Sequence, residues 1–298
     1  MLGADASTYG LTSWQYWLGE YPKRLYSNAM ETHVSLEKSV GETPLDCLER
    51  YRAQRPDLRG VPMAYAGRLD PMASGALLVL IGDACKRQTM YHNLDKAYEF
   101  SVLLGIGSDT ADVLGRLHTT DINSYTHTSI SLAAQTLIGT ITLPYPIFSA
   151  KTVRGKPLHT WALEGRLSEV EIPTKQSTVY TLMLDKVETK SRTDVCAEAR
   201  AKIDTILPVT DPRKSLGQDF RRSAVRADWE QIRNDDSLPE QYTIAHFHCV
   251  ASAGTYMRTL AQEIGKNLQT SGLAWHIHRT KIGRYDQETD RWVETLAS

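Results

Sequence analysis

Three side chains in this sequence have the types and settings that chemistry uses: Asp70, Arg258 and Tyr98. Asp70 lies in Tyr65-Ala66-Gly67-Arg68-Leu69-Asp70-Pro71, just ahead of Ser74-Gly75 and the apolar run Ala76-Leu77-Leu78-Val79-Leu80-Ile81. A residue before proline is pushed from helical toward extended backbone. Asp-Pro between a glycine loop and a buried strand therefore holds a carboxylate at a strand entrance, a common place for catalytic groups. The competing reading is a turn-forming aspartate that satisfies its own backbone. Arg258 falls in the first turn of a predicted helix, where the helix dipole disfavours a cation. That placement points to a carboxylate or phosphate partner, and a two-point Arg–carboxylate contact would orient an aspartate and keep it ionised. A surface arginine turned to solvent fits the same sequence. Tyr98, between Ala97 and Glu99, either fills the core as strand tyrosines do or presents a ring that stacks on a base.

These groups need a frame. Thr43 as N-cap and Pro44 at the first helical position open a helix through Leu45, Leu48 and Tyr51, which Pro56 closes. Ala76 to Ile81 is a buried strand ended by Gly82, and Lys96 to Leu104 alternates as a half-buried strand. Gly105 to Gly115 is a turn-rich loop, and Ser131 to Ile138 a short helix. Residues 144–175 are polar and basic, and their first part carries Lys151, Arg154 and Lys156 with no acid among them. Residues 190–240 are strongly charged, with helical pieces at Val195 to Ile206 and Ala227 to Arg233. They read as an insertion between strands, because alternation resumes at Tyr242 to Val250. The segment from Gly254 to Leu260 starts a helix running to about Leu268, and Trp275 to Ile282 is a last strand. Residues 1–33, rich in Tyr, Trp, Ser and Gly, form an N-terminal extension ahead of one domain over 34–298.

Composition narrows the classes without choosing among them. Hydrophobic residues make up 41% and charged residues 23% of 298, which suits a globular protein with a real core. No window approaches the apolar length of a membrane span, and no cationic patch precedes an apolar run as in a secretory signal. A cytoplasmic location is the default expectation. Cys47, Cys85, Cys196 and Cys249 are far apart and form no CxxC pair, so they read as buried or incidental thiols. Gly105-Ile106-Gly107 lacks the third glycine of a dinucleotide fingerprint. Asp109 and Asp112 read as turn formers, and His276 and His278 have no third ligand near them in sequence. No metal or cofactor is expected. The net charge of −1 is close to neutral evidence about nucleic acid, since binding needs only a local basic surface.

Taken together, the segments from Glu37 to Tyr285 resemble the TruB family of pseudouridine synthases. Gly67-Arg68-Leu69-Asp70-Pro71-Met72-Ala73-Ser74-Gly75 matches the family's catalytic loop and is the most specific of the motifs. Lys38-Ser39-Val40-Gly41-Glu42-Thr43 looks like its opening element, with Ser39 where proline is usual. Lys96-Ala97-Tyr98 is similar to its Lys-x-Tyr strand, and Leu104-Gly105 through Asp109-Thr110-Ala111-Asp112 and Gly115 follow its companion loop. Pro146 to Ala150 with Gly155-Lys156 resembles an RNA-gripping thumb. Gly254-Thr255-Tyr256-Met257-Arg258-Thr259-Leu260 and Arg279-Thr280 with Gly283 resemble the closing elements. In the family a Gly-His-x-Gly sequence opens the catalytic loop, where this chain has Ala64-Tyr65-Ala66-Gly67.

The resemblance implies an α+β pseudouridine synthase fold, a mixed and largely antiparallel sheet with flanking helices and a central cleft. It implies isomerisation of a uridine within RNA, the TΨC-loop uridine of tRNA, by a monomer needing no cofactor. Asp70 would be the catalytic carboxylate, Arg258 its partner, and Tyr98 the ring that stacks on the extruded base, with a hydroxyl that could help remove the C5 proton in the last step. Tyr256, Leu69, Gly67 and Tyr65 would shape the pocket. Lys151, Arg154, Lys156, Arg68 and Arg279 would contact RNA, the first three from a thumb over 144–175. With the sequence ending at Ser298, no RNA-binding PUA module is expected. The rival class is a non-catalytic RNA-binding or tRNA-folding protein on the same scaffold; a further rival is a synthase acting on another RNA. A pure binder has no use for an anionic group facing RNA.

Overall fold

The chain enters its sheet as β1 (His33–Lys38) and turns into α1 (Pro44–Ala53). Thr43 caps this helix in a reciprocal arrangement with Asp46, and Pro44 sits in the first turn, as the sequence predicts. The structure, a computed structural model, describes residues 32–120, 125–209 and 219–298. The extension expected over residues 1–33 thus lies outside the described residues up to residue 31, and His33 already belongs to β1.

After α1 come β2 (Met63–Ala66), β3 (Ala73–Ile81), α2 (Gln88–His92), β4 (Asp95–Leu104), β5 (Ile106–Ser108) and β6 (Leu117–Thr119). Then follow α3 (His127–Gln135), β7 (Gly139–Pro144), β8 (Thr152–Val153), β9 (Lys156–Pro157), α4 (Leu158–Leu163) and β10 (Thr174–Ser191). The chain closes with α5 (Arg192–Asp204), α6 (Arg222–Asn234), β11 (Gln241–Ala251), α7 (Met257–Asn267), β12 (Gly272–Asp286) and β13 (Arg291–Ala297). Nine strands form the main sheet in the order β1-β3-β12-β4-β11-β10-β7, with β2 on β3 and β13 on β12. Its pairings are antiparallel except for β3 with β12. The α+β expectation, largely antiparallel with flanking helices, is met.

The parallel pairing brings the Asp70 loop beside the strand that carries Arg279. Gly75 stands opposite Arg279 in register. Its φ is +104°, and a Cβ there would lie 2.3 Å from the Arg279 carbonyl oxygen, so only glycine lets the two backbones meet.

Helices cover both sheet faces. Phe100, Val102 and Leu104 of β4 pack with Leu260, Ala261 and Ile264 of α7 and Ile130 of α3. The alternate residue Leu103 faces the other way, with Ile244 and Leu273, toward Val195 and Ala199 of α5 and Val225 and Trp229 of α6. The 190–240 segment is therefore more than a charged insertion. Val225, Trp229 and Ile232 lie on one buried stripe of α6 at helical spacing, and the pair α5–α6 supplies a second core.

Other boundaries moved for local reasons. α3 starts at His127 rather than Ser131 because Thr126 caps it with Ser129. β10 escaped the sequence reading because register shifts at Val179/Thr181 and Leu184/Lys186 break its alternation. The four cysteines are free thiols, three of them buried. Among the described residues no helix is long and apolar enough to cross a membrane.

Candidate active site

Asp70 lies between β2 and β3, in a turn closed by the Ala73 amide donating to the Asp70 carbonyl (3.0 Å). Gly67 leads in with a φ of +85°, and the Pro71 carbonyl is pinned by the Gly41 amide (2.8 Å) from the β1–α1 turn. Arg258, second residue of α7, meets the carboxylate in a two-point contact: Nε donates to Oδ2 at 2.7 Å and Nη2 to Oδ1 at 3.1 Å. Two further donors are used as well, Nη1 on the Thr110 carbonyl (2.8 Å) and Nη2 also on the Phe148 carbonyl (3.3 Å). Arg258 is buried while the Asp70 side chain is 38% exposed. The arginine is thus a fixed foundation, and the carboxylate is the part that a ligand can reach. For Arg258 the structure gives a carboxylate partner in place of solvent.

A second carboxylate joins them. Asp112 Oδ2 lies 3.9 Å from Arg258 Nε, and Asp112 accepts from the Thr110 hydroxyl (2.6 Å) and the Leu114 amide (3.0 Å). Burial pushes its carboxyl pKa up, against the opposing pull of Arg258. The Arg258 pKa is itself raised: burial works against its charge, and the carboxylates of Asp70 and Asp112 outweigh that effect. A cation in the first helical turn is tolerated because two carboxylates answer it. Sequence reasoning took Asp112 for a turn former. Its approach to Arg258 joins segments far apart in sequence, and a backbone bridge from Asp112 to Ala274 is a second such contact.

Tyr98 is half-buried and packs beside the core that holds Leu69. Burial raises its hydroxyl pKa, with Arg279 pulling the other way. Tyr256, the residue before α7, meets the Tyr145 ring edge-on at 5.6 Å, and burial lifts its hydroxyl to about 12. Leu69 is buried in the core rather than lining an open surface. Tyr65 sits apart from this cluster, packed against Cys47, Leu48, Leu77 and Val79.

Arg279 corrects an expectation. It is 1% exposed and therefore cannot contact RNA in this fold. Its Nε donates to the Ala76 carbonyl (2.7 Å), Nη1 to that of Arg68 (3.3 Å) and Nη2 to that of Gly67 (3.5 Å). It braces the Asp70 loop by its backbone. Lys96, also buried, donates to the carbonyls of His92 and Leu94, and burial lowers its pKa to about 8. Lys38 binds the carbonyls of Ser39 (2.8 Å) and Glu42 (2.6 Å), and burial lowers it to about 8 as well. Arg68 remains exposed.

In 144–175 the structure brings acids onto the basic stretch. Glu164 accepts from Lys156 (2.6 Å), whose ammonium also lies 4.5 Å from the centre of the Trp161 ring. Arg166 pairs with Glu164 and Glu169, and Arg154 donates to the Glu169 carbonyl (3.1 Å). Lys156 is thus half-buried and neutralised, contrary to the reading of an acid-free patch. Lys151 and Arg154 are exposed. His276 and His278 stack at 6.3 Å. Among the described residues no group of three or more His, Cys, Asp or Glu is arranged to hold a metal ion.

Residues 58–205 match the TruB family pseudouridylate synthase (N terminal domain), a span that contains the Asp70 loop, Tyr98 and Asp112. The chain belongs to the TruB family. It is 27% identical over 251 residues to the tRNA pseudouridine synthase B of Caldicellulosiruptor saccharolyticus, covering 84% of this chain and 67% of that protein. It is 31% identical over 251 residues to the tRNA pseudouridine synthase B of Aromatoleum aromaticum, covering 84% and 63%. The chain therefore spans about two thirds of the length of these curated relatives. Among solved structures, a chain of a Cbf5-Nop10-Gar1 complex superposes with a TM-score of 0.49 at 16% identity, over 84% of this chain and 48% of that one.

Proposed function

We propose that this TruB-family chain isomerises a uridine within RNA to pseudouridine, its target being the uridine of the TΨC loop of tRNA. The observation that carries the reading is the two-point pairing of a half-exposed Asp70 with a buried Arg258. Breaking the N-glycosidic bond develops positive charge on the ribose. A carboxylate beside C1′ can stabilise that charge, attack C1′, or assist proton removal from C2′. The base then turns over, and C5 joins C1′. Each Asp70 oxygen keeps acceptor capacity beyond its bond to Arg258, so pairing aims the carboxylate without consuming it.

Tyr98 stacks on the extruded base in this reading. Its raised pKa keeps the phenol neutral near pH 7, which suits stacking and hydrogen bonding and works against a phenolate base at C5. Tyr256 and Gly67 shape the pocket. Lys151, Arg154 and Arg68 meet phosphates, with the first two in the thumb over 144–175. Extruding the uridine costs a few kcal/mol, less from a loop than from a helix.

The test is pseudouridine formation in an unmodified tRNA transcript, mapped by position, with Asp70→Asn alongside. Wild type is expected to convert the TΨC-loop uridine. Asp70→Asn should form none while its RNA affinity stays within a few-fold, since amide and carboxylate are nearly isosteric. Conversion elsewhere would refute the proposed target. A wild type that binds tRNA and converts nothing would leave the non-catalytic reading standing, and substantial turnover by Asp70→Asn would remove this residue from the mechanism.

A further inference from the structure

The α5–α6 pair approaches the Asp70–Arg258 site with a side chain at the entry to α6. Arg221 immediately precedes α6, and its guanidinium makes a two-point pair with Asp109, Nη1 to Oδ2 at 2.6 Å and Nη2 to Oδ1 at 2.9 Å. The same guanidinium lies over the Phe148 ring, 4.3 Å from its centre. Both contacts sit next to the groups that hold Arg258. Asp109 precedes Thr110, and the carbonyls of Thr110 and Phe148 are the two main-chain acceptors of Arg258. One residue thus ties together both walls of the nest around the partner of Asp70.

The backbone here is held against its own preference. Asp219, Phe220 and Arg221 have φ of 43°, 55° and 55°, a left-handed run in three consecutive non-glycine residues. Each such residue costs on the order of 1 kcal/mol or more and persists only where the surroundings over-determine it. The determinants are visible: Asp219 pairs with the buried Arg222 (2.6 Å) and accepts from the Val209 amide (2.8 Å), and Arg221 is fixed by Asp109 and Phe148. An arginine committed to a carboxylate and an aromatic face, with 19% of its side chain exposed, has little left to offer a phosphate.

We infer that Arg221 is a positioning residue for the proposed isomerisation. It holds the Asp109–Thr110 and Phe148 walls so that Arg258 aims Asp70. The inference rests on the function proposed above, and wild-type activity is its reference. The experiment is single-turnover kinetics on tRNA for Arg221→Ala, Arg221→Lys and Asp109→Asn, with unfolding midpoints and RNA affinity measured on the same preparations. Displacing a catalytic group by an ångström can cost about 100-fold. Arg221→Ala is therefore expected to lower the rate at saturating tRNA about 10- to 100-fold, with affinity changed less than about twofold.

Arg221→Lys should fall between the two, because a point ammonium keeps the charge and loses the fork and the stacking. In the double variant Arg221→Ala/Arg258→Lys the loss should be smaller than the product of the single losses, as for residues acting through one contact. If wild type makes no pseudouridine, the underlying reading fails. With wild type active, three results would overturn the inference itself: a saturating rate unchanged while the unfolding midpoint falls, weaker RNA binding with a flatter salt dependence at unchanged rate, or fully multiplicative losses in the double variant.

Discussion

Replacing Arg258 tests the site by physics that does not depend on the reaction. The guanidinium spans two Asp70 oxygens and the carbonyls of Thr110 and Phe148. A lysine ammonium offers three donors from one point and cannot reach acceptors on opposite sides. Losing one or two charge-assisted hydrogen bonds costs about 2–5 kcal/mol. The lower half of that range applies, because Asp70 is 38% exposed and water replaces part of its contact. Arg258→Lys should then lose about 2–3 kcal/mol, lowering the unfolding midpoint by about 4–12 °C, along with most activity. Arg258→Met leaves Asp70 and the buried Asp112 without their cation and should lose about 3–5 kcal/mol at neutral pH.

The Met variant carries a signed pH signature. Asp112 already has its folded pKa raised above the usual carboxylate value by burial, and removing Arg258 raises it further. Between the unfolded and folded pKa values the native state then binds the extra proton, so stability rises as pH falls. The deficit of Arg258→Met against wild type should shrink from pH 7.5 to pH 5, read by urea unfolding at both. A deficit that grows on acidification, or an Arg258→Lys enzyme with wild-type stability and turnover, would refute the reasoning.

Two further outcomes follow from groups around the site. Burial lowers Lys96 from 10.5 to about 8, so above pH 8 the folded chain releases a proton that the unfolded chain keeps until about 10.5. Wild type should therefore gain stability relative to Lys96→Met between pH 8 and 10.5; urea midpoints at pH 7.5 and 10 that keep a constant gap would contradict this. Neutralising Lys151, Arg154 and Lys156 together should flatten the slope of log affinity against log salt by about 1–2 units rather than 3, because Lys156 is already bound to Glu164. An unchanged slope would move the RNA contacts away from 144–175. The paired Arg221 and Arg222 make poor substitutes.

The sequence by itself determined the parts whose signals are local. Thr43 and Pro44 set the start of α1, the apolar run after Ser74-Gly75 set β3, and Asp-Pro placed Asp70 at the entrance of that strand. The Asp70 loop and the Arg258 helix start could be matched to a family because their residues are contiguous. Tertiary structure decided everything that depends on which distant segments meet. Asp70 and Arg258 are 188 positions apart; a cation in a first helical turn calls for an anion, but nothing local to either residue names the other as its partner. Arg279 reads as a basic surface residue and is instead sealed between β3 and β4, where its charge is answered by main-chain carbonyls. Lys156 reads as a free cation until α4 brings Glu164 back to it. The charged 190–240 stretch hides a core because Val225, Trp229 and Ile232 are sparse in sequence and contiguous only on a helix face. Spacing fixes what a segment can form; a buried charge needs a partner, and the fold alone selects which one it finds.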